Sequence, residues 1–331
     1  MKNNHFESIA KRLLYAIDSS ECVLLIPHQK PDGDALGSST AFAEWLIQKG
    51  KDVHLFCATD YSKNFSYLPH ISKISSEQNI WEQKTFDTII VFDSGDLRYA
   101  GVDNFLQKIS NKPVIINIDH HATNEQYGDI NLVNTKFSST CEVVFTFFSF
   151  HRILVNKNMA TSLLTGLITD TDHFTNGATS STALESAGLL MNKSGKHRSI
   201  KETIYNTMRI PTLQLWGKVF ERLEKHSELD IVFTSVPQTD IIQFSLSESE
   251  SEGMANFLNT IAEGKAALII KEIEHNVWKG SFRTTKDTVD VAKIAKALGG
   301  GGHTKAAGFT LSGTQDFVLN KIFQTMRDLK F

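Results

Sequence analysis

The sequence is short of cysteine and has no long hydrophobic run. Its 331 residues contain three widely spaced cysteines, which argues against a disulfide framework or a cysteine-based zinc site and predicts a reducing compartment. No apolar run approaches the roughly 18 residues that a transmembrane helix needs. The first eight residues are polar and lack the apolar core of a signal peptide. We therefore expect a soluble, cytoplasmic protein that makes no use of a membrane.

An excess of positive charge is also missing. The formal net charge is -3, whereas a non-specific grip on long nucleic acid requires a strongly basic surface. A short anionic ligand in a local basic pocket is still compatible with this charge. The length of 331 residues predicts two domains, and each half is long enough to bury a core of its own.

One loop near the start of the chain combines an imidazole with two carboxylates. His28, Asp32 and Asp34 follow an apolar run over 23–27 that predicts a buried strand, and they precede a helical pattern. Loops between a strand and the next helix are the usual ligand sites of open α/β sheets. Crowding these side chains together is unfavourable unless a positive charge lies beside them. That charge is either a divalent cation or, if the loop is a plain surface turn, the side chain of Lys30.

Two further strand ends carry the same kinds of side chain. A nearly continuous apolar run predicts a buried strand that ends in Asp93. Asp93 is either a further member of a ligand site or a cap of the next turn. The next predicted strand runs into Asp119, His120 and His121. The imidazoles there can bind a metal and the carboxylate can orient one of them, although a polar surface turn would explain the same residues.

Asp170 ends a fourth element of this kind. Apolar residues between 159 and 168 have helical spacing, and Asp170 follows them directly. The carboxyl end of a helix is the negative pole of its dipole, so a carboxylate there is unfavourable unless a cation or a hydrogen-bond donor lies beside it. This position therefore favours Asp170 as a metal ligand.

The acids and imidazoles all lie at the carboxyl ends of their elements, where a parallel sheet gathers its functional loops. Four carboxylates that converge without a cation would repel one another and take up protons. Two divalent metal ions would neutralise them, and mixed carboxylate and imidazole ligands suit Mn²⁺, with Mg²⁺, Co²⁺ and iron as alternatives. A pair of metal ions ~3.5–4 Å apart is a common device for hydrolysing phosphate esters.

The predicted elements give an α/β fold with two domains. We expect a mostly parallel sheet flanked by helices over 1–192, a helical connector over 193–229, and a smaller α/β domain over 230–331. Helices are predicted over 182–191, 200–208 and 213–226. In the second domain the pattern predicts strands over 230–236, 241–245, 267–272, 277–284 and 307–311, and helices over 252–261, 289–298 and 317–329.

The motifs, in this order, resemble those of the DHH phosphoesterase superfamily. Its four motifs are matched by His28-x-x-x-Asp32-x-Asp34 with Gly37-Ser38, by Asp93, by Asp119-His120-His121 and by Asp170-Thr171. The second half resembles the DHH-associated domain, matched by Ser281-Phe282-Arg283 and by Gly299-Gly300-Gly301-Gly302-His303 with Ala306-Ala307-Gly308. The resemblance covers nearly the whole chain, and the layout looks like the short nanoRNase and phosphoadenosine-phosphate phosphatase group.

The resemblance implies a role for each matched residue of the first domain. One metal ion would be held by His28, Asp32 and Asp93, and the other by Asp34, Asp93, His120 and Asp170. Asp119 would orient His120. His121 would face the substrate and steady the scissile phosphate or protonate the leaving oxygen. A hydroxide that bridges the metals would attack phosphorus in line.

The resemblance also implies an anion clamp on the second domain, with the active site in the cleft between the domains. Arg283 can grip a phosphate through two parallel hydrogen bonds, and the consecutive glycines Gly300, Gly301 and Gly302 let backbone N–H groups approach an anion closely. His303 would reach the phosphate from the end of the glycine run. A flexible helix stop and a surface strand arginine are the alternative interpretations of the glycine run and of Arg283.

The function that the resemblance implies is a manganese-dependent phosphoesterase acting on short single-stranded RNA and on 3′-phosphoadenosine 5′-phosphate. One alternative is hydrolysis of cyclic or linear dinucleotides or of polyphosphate. Another, from a different class, is a non-catalytic, metal-dependent nucleotide-binding module. Asp172 and His173 depart from related sequences, which often have a small residue here, and this leaves the preferred substrate open. The oligomeric state also stays open, and a homodimer is compatible with the sequence.

Overall fold

The computed structural model of the chain describes residues 3–107, 109, 111–193, 200, 209–246 and 263–331. The chain divides into two compact units, Met1–Thr207 and Met208–Phe331. This boundary falls inside the predicted connector over 193–229, and the division into 1–192, 193–229 and 230–331 stays a prediction. The helix predicted over 252–261 and, apart from Ile200, the one over 200–208 lie outside the described residues.

Parallel strands form the sheet of the first unit. Its strands are β1 (Cys22–Pro27), β2 (Asp52–Phe56), β3 (Ile74–Ser75), β4 (Thr88–Phe92), β5 (Val114–Asp119) and β6 (Ile130–Val133). The order across the sheet is β3-β2-β1-β4-β5-β6, and each pair of neighbours is parallel. The predicted parallel sheet is therefore confirmed, and the short strand β3 is an addition that the polar sequence around it did not indicate.

Hydrophobic cores cover both faces of this sheet. Val23 and Leu25 of β1 belong to one apolar cluster, and Leu24 and Ile26 belong to another. Successive side chains of a strand point to opposite faces, so a strand covered on both sides is apolar at almost every position. The continuous apolar runs of β1 and β4 follow from this double burial.

Helices accompany the strands in the first unit. They are α1 (Asn3–Ser19), α2 (Gly33–Gln48), α3 (Ile80–Gln83), α4 (Asp103–Leu106), α5 (Thr140–Phe150), α6 (Lys157–Asp170) and α7 (Ser181–Met191). None of the helices in the described ranges combines the length and the apolar character needed to cross a membrane. The predicted helix that ends at Asp170 is α6.

Glycines let α2, α5 and α6 approach one another closely. A Cβ atom on Gly37 of α2 would lie 2.4 Å from the backbone oxygen of Ser162 in α6. A Cβ atom on Gly166 of α6 would lie 2.3 Å from Sγ of Cys141 in α5 and 2.6 Å from Oδ1 of Asp34 in α2. Separations of this size are too short for any side chain, so glycine is required where the three helices meet below the loops of the sheet.

The strand order reverses between β1 and β4. The chain builds outward from β1 to β2 and β3, then returns to place β4 on the other side of β1 and continues to β5 and β6. In such sheets, ligands bind outside the carboxyl ends of the strands at this switch point, because the loops on either side turn away from each other. His28 follows β1 and Asp93 follows β4, so the switch point carries two of the predicted ligands.

The second unit contains a mixed sheet. Its strands are β7 (Glu224–His226), β8 (Ile231–Val236), β9 (Ala266–Glu274), β10 (Val277–Arg283), β11 (Gly301–His303) and β12 (Ala306–Ser312), in the order β11-β12-β10-β9-β8-β7. β8 and β9 are parallel, and the other neighbours are antiparallel. Its helices are α8 (Ile210–Glu221), α9 (Gln238–Gln243), α10 (Val291–Ala297) and α11 (Gln315–Asp328).

Two predictions for the second unit are wrong. The segment 241–245, predicted as a strand, is the end of α9 and the turn after it, where Ile241 and Phe244 pack in the same apolar cluster as Leu246. Apolar residues three positions apart fit one face of a helix, and the segment was too short for its period to be decisive. The helix predicted over 213–226 ends at Glu221, because Glu224–His226 pairs as a strand with β8.

Candidate metal centre

The predicted acids and imidazoles meet at the carboxyl edge of the first sheet. Within each of two groups, every residue offers a ligand atom and these atoms lie within 4.8 Å of one another. The first group is His28, Asp32 and Asp93, and the second is Asp34, His120 and Asp170. The structure therefore brings together all six of the predicted ligands, which come from four separate stretches of the chain.

Asp93 contacts both groups and turns a different oxygen toward each. Its Oδ2 lies 3.6 Å from Nε2 of His28, and its Oδ1 lies 3.7 Å from Nε2 of His120. The residue is buried and has a φ of 58°. A left-handed backbone is uncommon for residues other than glycine, and such residues concentrate at functional sites. The geometry fits a carboxylate that is shared by two cations.

The two histidines present unprotonated nitrogens to these carboxylates when their rings are neutral. Nδ1 of His28 lies 2.8 Å from the carbonyl oxygen of Gln29, and Nδ1 of His120 lies 3.3 Å from that of Phe137. A carbonyl oxygen can only accept a hydrogen bond, so Nδ1 carries the proton and Nε2 carries the lone pair. Nε2 of His120 is buried without a hydrogen-bond partner among the described residues and lies 3.4 Å from Oδ2 of Asp170.

Lone pairs that face carboxylates call for a positive charge between them. Without one, burial and the neighbouring Asp93 raise the pKa of Asp34 above its ordinary value. Burial, Asp93 and Asp32 together raise the pKa of Asp170 to about 8. A divalent cation would relieve the same repulsion, and its preference for imidazole and carboxylate ligands matches the residues present. The donor set therefore fits divalent metal ions.

Asp34 is held by the amino end of α5. The N–H of Thr140 donates to its Oδ2 at 2.6 Å, and the N–H of Cys141 donates to its Oδ1 at 2.9 Å. The hydroxyl of Thr140 donates to Oδ1 of Asp93 at 2.9 Å. The sequence gives no sign of this role, because serine and threonine are common residues at the start of a helix, and Ser139 does cap α5.

The expectation that Asp119 orients the ring of His120 is wrong. Nδ1 of His121, not of His120, lies 2.8 Å from Oδ1 of Asp119, and His120 reaches that oxygen only with its backbone N–H, at 2.7 Å. The ring of His120 turns instead toward the carbonyl of Phe137. Asp119 therefore supports His121, whose side chain is 43% exposed and whose pKa this hydrogen bond raises to about 9.

Asp32 is also the N-cap of α2, a role that the motif does not indicate. Its Oδ1 accepts hydrogen bonds from the N–H groups of Asp34 and Ala35, at 2.9 and 3.1 Å, and so caps α2. The capped helix carries Asp34, so one carboxylate fixes both the start of α2 and the position of the next ligand. Asp32 also lies 3.8 Å from Nε2 of His28 through the same Oδ1.

The residues after Asp170 adopt an unusual backbone. Asp172, His173 and Phe174 have φ values of 47°, 60° and 64°, which is rare for three consecutive residues with side chains. The N–H of His173 donates to the carbonyl of Ile168 at 2.9 Å, which closes the turn back onto α6. This stretch thus forms a distinct turn beside the candidate ligand Asp170.

The predicted anion clamp of the second unit lies on three adjacent strands. Arg283 of β10 and His303 of β11 are both direct partners of Ala306 in β12, so the three side chains share one face of the sheet. The next row on that face is Ser281, Gly308 and Gly301. We call these six residues the anion seat. Its floor is made of small residues, and its two flanks carry a guanidinium and an imidazole.

The glycine run ends in a short strand, Gly301–His303, which the sequence did not predict. Gly300 precedes β11, and a Cβ atom on it would lie 2.1 Å from the backbone oxygen of Gly308. Gly302 has a φ of 137°, and a Cβ atom on it would lie 2.6 Å from the backbone oxygen of Ala306. These two glycines are therefore required for β11 to pair with β12, whereas Gly301 has open space where a side chain would project.

Two more groups of potential ligands lie in the described part of the chain: Asp93, Asp119, His120 and His121 at the edge already described, and a separate group elsewhere in the sheet. Cys22, Asp52 and His54 lie at the start of β1 and in β2, so they are at the opposite edge of the sheet from Asp93. Nζ of Lys84 lies 3.3 Å from Oδ2 of Asp52. A lysine ammonium already provides the positive charge there.

Family models match both halves of the chain. A model of the DHH family, N-terminal domain, matches residues 22–167, and a model of the DHHA1 domain matches residues 231–328. The first match contains the predicted ligands from His28 to His120, and Asp170 follows directly after it. The second match contains the anion seat. The two domains occur in the order that the motifs predict.

Relatives cover nearly the full chain. The bifunctional oligoribonuclease and PAP phosphatase NrnA of Thermus thermophilus is 26% identical over 312 residues, which is 92% of this chain and 89% of the relative. A probable bifunctional oligoribonuclease and PAP phosphatase NrnA of Streptococcus mutans is 26% identical over 325 residues, 96% of this chain and 98% of the relative.

A solved structure has the same fold. The crystal structure of an exopolyphosphatase-related protein from Bacteroides fragilis has a TM-score of 0.87 at 22% identity, and the match covers 98% of this chain and 96% of that one. That likeness shows the fold. The two domain matches cover most of the chain in the order DHH then DHHA1, and they show that the chain belongs to the DHH family.

Proposed function

We propose that this protein is a metal-dependent phosphoesterase that hydrolyses short RNA oligonucleotides to mononucleotides and removes the 3′-phosphate of 3′-phosphoadenosine 5′-phosphate. The observation that carries the proposal is the pair of ligand groups that Asp93 contacts through its two oxygens, with the lone pairs of His28 and His120 facing carboxylates. The relatives named oligoribonuclease and PAP phosphatase support this choice of substrates.

His28, Asp32 and Asp93 would hold one divalent ion, and Asp34, His120, Asp170 and Asp93 the other, with Mn²⁺ as the preferred metal. Two ions bound there would neutralise the carboxylates, lower the pKa of a water molecule and stabilise the negative charge that develops on the phosphate. The side chains of the protein would position the ions and exclude water. Its carboxylates fix the two groups relative to each other, and burial of Asp34 and Asp93 keeps competing water away from them.

His121 would contact the scissile phosphate or the leaving oxygen. Asp119 accepts the hydrogen bond from Nδ1 of His121, so the other ring nitrogen, Nε2, is the one available to substrate. The carboxylate of Asp119 is itself fixed, because Nδ2 of Asn124 donates to its Oδ2 at 2.5 Å. A ring held on one side and partly exposed on the other suits a group that donates a hydrogen bond or a proton to an oxyanion.

The anion seat would bind a phosphate of the substrate away from the bond that is cleaved. Arg283 carries a planar guanidinium whose shape matches phosphate oxygens, with Nη1 donating to the carbonyl oxygen of Phe282 at 3.0 Å, and His303 is exposed on the opposite flank of Ala306. The flanks are separated by two strand spacings, about 10 Å. A short anionic ligand fits this arrangement better than a long polymer does.

Incubation of the protein with Mn²⁺ and 5′-labelled two- to five-nucleotide RNA tests the proposal. We expect mononucleotides from the RNA, and AMP with inorganic phosphate from 3′-phosphoadenosine 5′-phosphate. Asp93→Ala is the matched control, because it removes the shared carboxylate. Absence of both products with the wild-type protein would refute the assignment.

A substrate panel separates the alternatives. If cyclic dinucleotides or polyphosphate are turned over faster than linear RNA, the proposed substrate class is wrong although the chemistry is right. A nucleotide-binding module without catalysis predicts that Asp93→Ala lowers nucleotide affinity and that neither protein releases product. An enzyme predicts that turnover falls much further in Asp93→Ala than nucleotide affinity does.

A further inference from the structure

The amino end of α5 lies directly beneath the ligand groups. Ser139 has an extended backbone, and its hydroxyl accepts a hydrogen bond from the N–H of Glu142 at 3.0 Å. Glu142 in turn accepts a hydrogen bond from the N–H of Ser138 through Oε2, at 2.7 Å. These reciprocal bonds fix the first turn of the helix. Ser139, Thr140 and Cys141 are all buried.

The first turn of α5 grips both oxygens of Asp34. The N–H groups of Thr140 and Cys141 donate to Oδ2 and Oδ1 respectively. N–H groups at the start of a helix have no partner within the helix, and they carry the positive end of its dipole, so they bind a carboxylate well. Two bonds to two oxygens also fix the rotation of the carboxylate plane, and with it the lone pairs that remain for a metal ion.

The hydroxyl of Thr140 performs the same task for Asp93. It donates to Oδ1, which is the oxygen that faces His120, and so leaves Oδ2 toward His28. A partial rotation of this carboxylate would move both oxygens away from these positions, and the two ligand groups would no longer share it. The hydroxyl of Thr140 therefore fixes the orientation of the Asp93 carboxylate, and a paired metal centre depends on that orientation.

We propose that Thr140 is a positioning residue for the metal centre, which orients Asp34 with its backbone N–H and Asp93 with its hydroxyl. The proposal rests on the proposed function insofar as it takes the two ligand groups to bind metal ions. Thr140 thus connects two carboxylates of the proposed centre. One is Asp93, which both ions would share, and the other is Asp34, which would bind one of them. Substitutions of the side chain test the hydroxyl alone, because the N–H stays in place.

Thr140→Val and Thr140→Ser separate the hydroxyl from the shape of the side chain. Valine has the same shape without the hydroxyl, and serine keeps the hydroxyl without the methyl group. Titration of the full-length protein with Mn²⁺, with free Mn²⁺ read by electron paramagnetic resonance, gives the affinity and the number of sites. We expect Thr140→Val to bind Mn²⁺ about 10–100-fold more weakly, as loss of a partner behind a metal ligand usually does, and Thr140→Ser to bind it like the wild type.

Ser139→Ala is the structural control. It removes the cap of α5 but leaves the hydroxyl of Thr140, so we expect it to lower the melting temperature of the metal-free protein and to weaken Mn²⁺ binding much less than Thr140→Val does. Thr140→Ala provides a second hydroxyl-free variant if Thr140→Val fails to fold, and circular dichroism in EDTA checks the fold of each.

Equal Mn²⁺ affinity in the wild type and in a folded hydroxyl-free variant would overturn the proposal, and so would equal weakening in Ser139→Ala. The comparison does not depend on turnover. A wild type that binds Mn²⁺ but cleaves no RNA contradicts the proposed function only, whereas a wild type that cleaves RNA with Thr140→Val unaffected contradicts the role of Thr140 only.

Discussion

Asp119 accepts a hydrogen bond from Nδ1 of His121 at 2.8 Å, whereas the ring of the adjacent His120 contacts the carbonyl oxygen of Phe137. The two histidines thus have different supports, although both lie near Oδ1 of Asp93, at 3.7 Å from Nε2 of His120 and at 3.6 Å from Nδ1 of His121. His120 is directed to Asp93 and Asp170. The proposed roles follow this difference in support, with His120 as a metal ligand and His121 as the group that contacts the substrate.

Substitution of each histidine should separate these roles. We expect His121→Ala to lower kcat by about 10²–10⁴-fold, the usual contribution of a positioned acid or base, with Mn²⁺ affinity unchanged. His120→Ala should weaken Mn²⁺ binding, because it removes a ligand atom. Steady-state kinetics on a dinucleotide together with Mn²⁺ titration measures both. Weakened Mn²⁺ binding in His121→Ala would show that His121 belongs to the metal ligands instead.

Metal binding should be visible as thermal stabilisation that depends on Asp93. A ligand at 100 times its Kd stabilises the folded state by about 2.7 kcal/mol, which is about 5–10 °C in Tm for a unit of this size. We expect Mn²⁺ to raise the Tm of the wild type and not that of Asp93→Asn. In EDTA the variant should be at least as stable as the wild type, because it removes one buried carboxylate from a repelling group.

Differential scanning fluorimetry with and without Mn²⁺ makes this comparison. Asp60→Asn is the control, since Asp60 is exposed in the loop after β2 and belongs to neither ligand group. A normal Mn²⁺ shift in Asp93→Asn would contradict the shared role of Asp93.

Much of the first sheet and its site could be predicted because burial on both faces leaves a strong signal. The apolar runs of β1 and β4 are continuous, and parallel order then dictates that the residues following them, His28 and Asp93, share one edge. Asp170 was identifiable by its unfavourable place at the carboxyl end of a helix. These inferences depend on local sequence and on the general geometry of α/β sheets.

Contacts between distant segments left no such signal. The hydroxyl of Thr140 meets Asp93 across 47 positions of the chain, and nothing near either residue indicates the pair. The partner of Asp119 depended on ring orientation, which the spacing of two adjacent histidines does not determine. In the second unit, the pairing of Gly301–His303 with β12 depends on the backbone of glycines, whose lack of side chains removes the hydrophobic pattern that marks a strand.

The close approach of α2, α5 and α6 gives a prediction about stability. A Cβ atom on Gly166 would overlap Cys141 and Asp34, so we expect Gly166→Ala to destabilise the protein by about 1–3 kcal/mol, as overpacking usually does. It should also weaken Mn²⁺ binding by displacing Asp34. Urea unfolding and Mn²⁺ titration measure the two effects.

Gly188→Ala is the matched control for this substitution. Gly188 is an exposed helical glycine in α7, and a Cβ atom on it would have no heavy atom of another part of the structure within 4 Å. Alanine there should be neutral or stabilise by up to about 1 kcal/mol. Should both variants lose the same stability, the crowding around Gly166 is not the cause.

Glu44 of α2 should make stability depend on pH. Its Oε2 lies 2.5 Å from Nε2 of His70, and its Oε1 accepts hydrogen bonds from Gln48 at 2.8 Å and from Asn156, the N-cap of α6, at 2.6 Å. Burial alone would raise the pKa of Glu44, but these hydrogen bonds outweigh it and lower the pKa below the ordinary 4.5. The carboxylate then stabilises the fold above that pH, and the contribution disappears as pH falls through the lowered pKa.

Glu44→Gln should therefore lower the free energy of unfolding by about 1.5 kcal/mol at pH 7, the size of a hydrogen bond to a charged group, and by less below pH 4.5. Urea unfolding of both proteins in EDTA, at several pH values, gives the difference. Glu82→Gln, at an exposed position of α3, should show no such trend. A difference that grows toward low pH would contradict the assigned charge state.

Arg283 should affect substrate affinity more than turnover. It lies beside Ala306 in the anion seat rather than in either ligand group, so it would bind the ground state and the transition state alike. Lysine keeps the charge but loses the fork that matches two phosphate oxygens. We therefore expect Arg283→Lys to raise KM about tenfold, which corresponds to about 1.4 kcal/mol, with kcat and the Mn²⁺-induced shift in Tm unchanged.

Lys279→Gln distinguishes a specific seat from a general effect of charge. Lys279 is exposed on the same strand and face as Arg283, four residues away, which is about 13 Å along a strand. Its loss should leave KM nearly unchanged. If it raises KM as much as Arg283→Lys does, the second unit attracts substrate through its overall charge and the seat has no specific role. A lower kcat in Arg283→Lys at constant KM would instead place the guanidinium at the reacting phosphate.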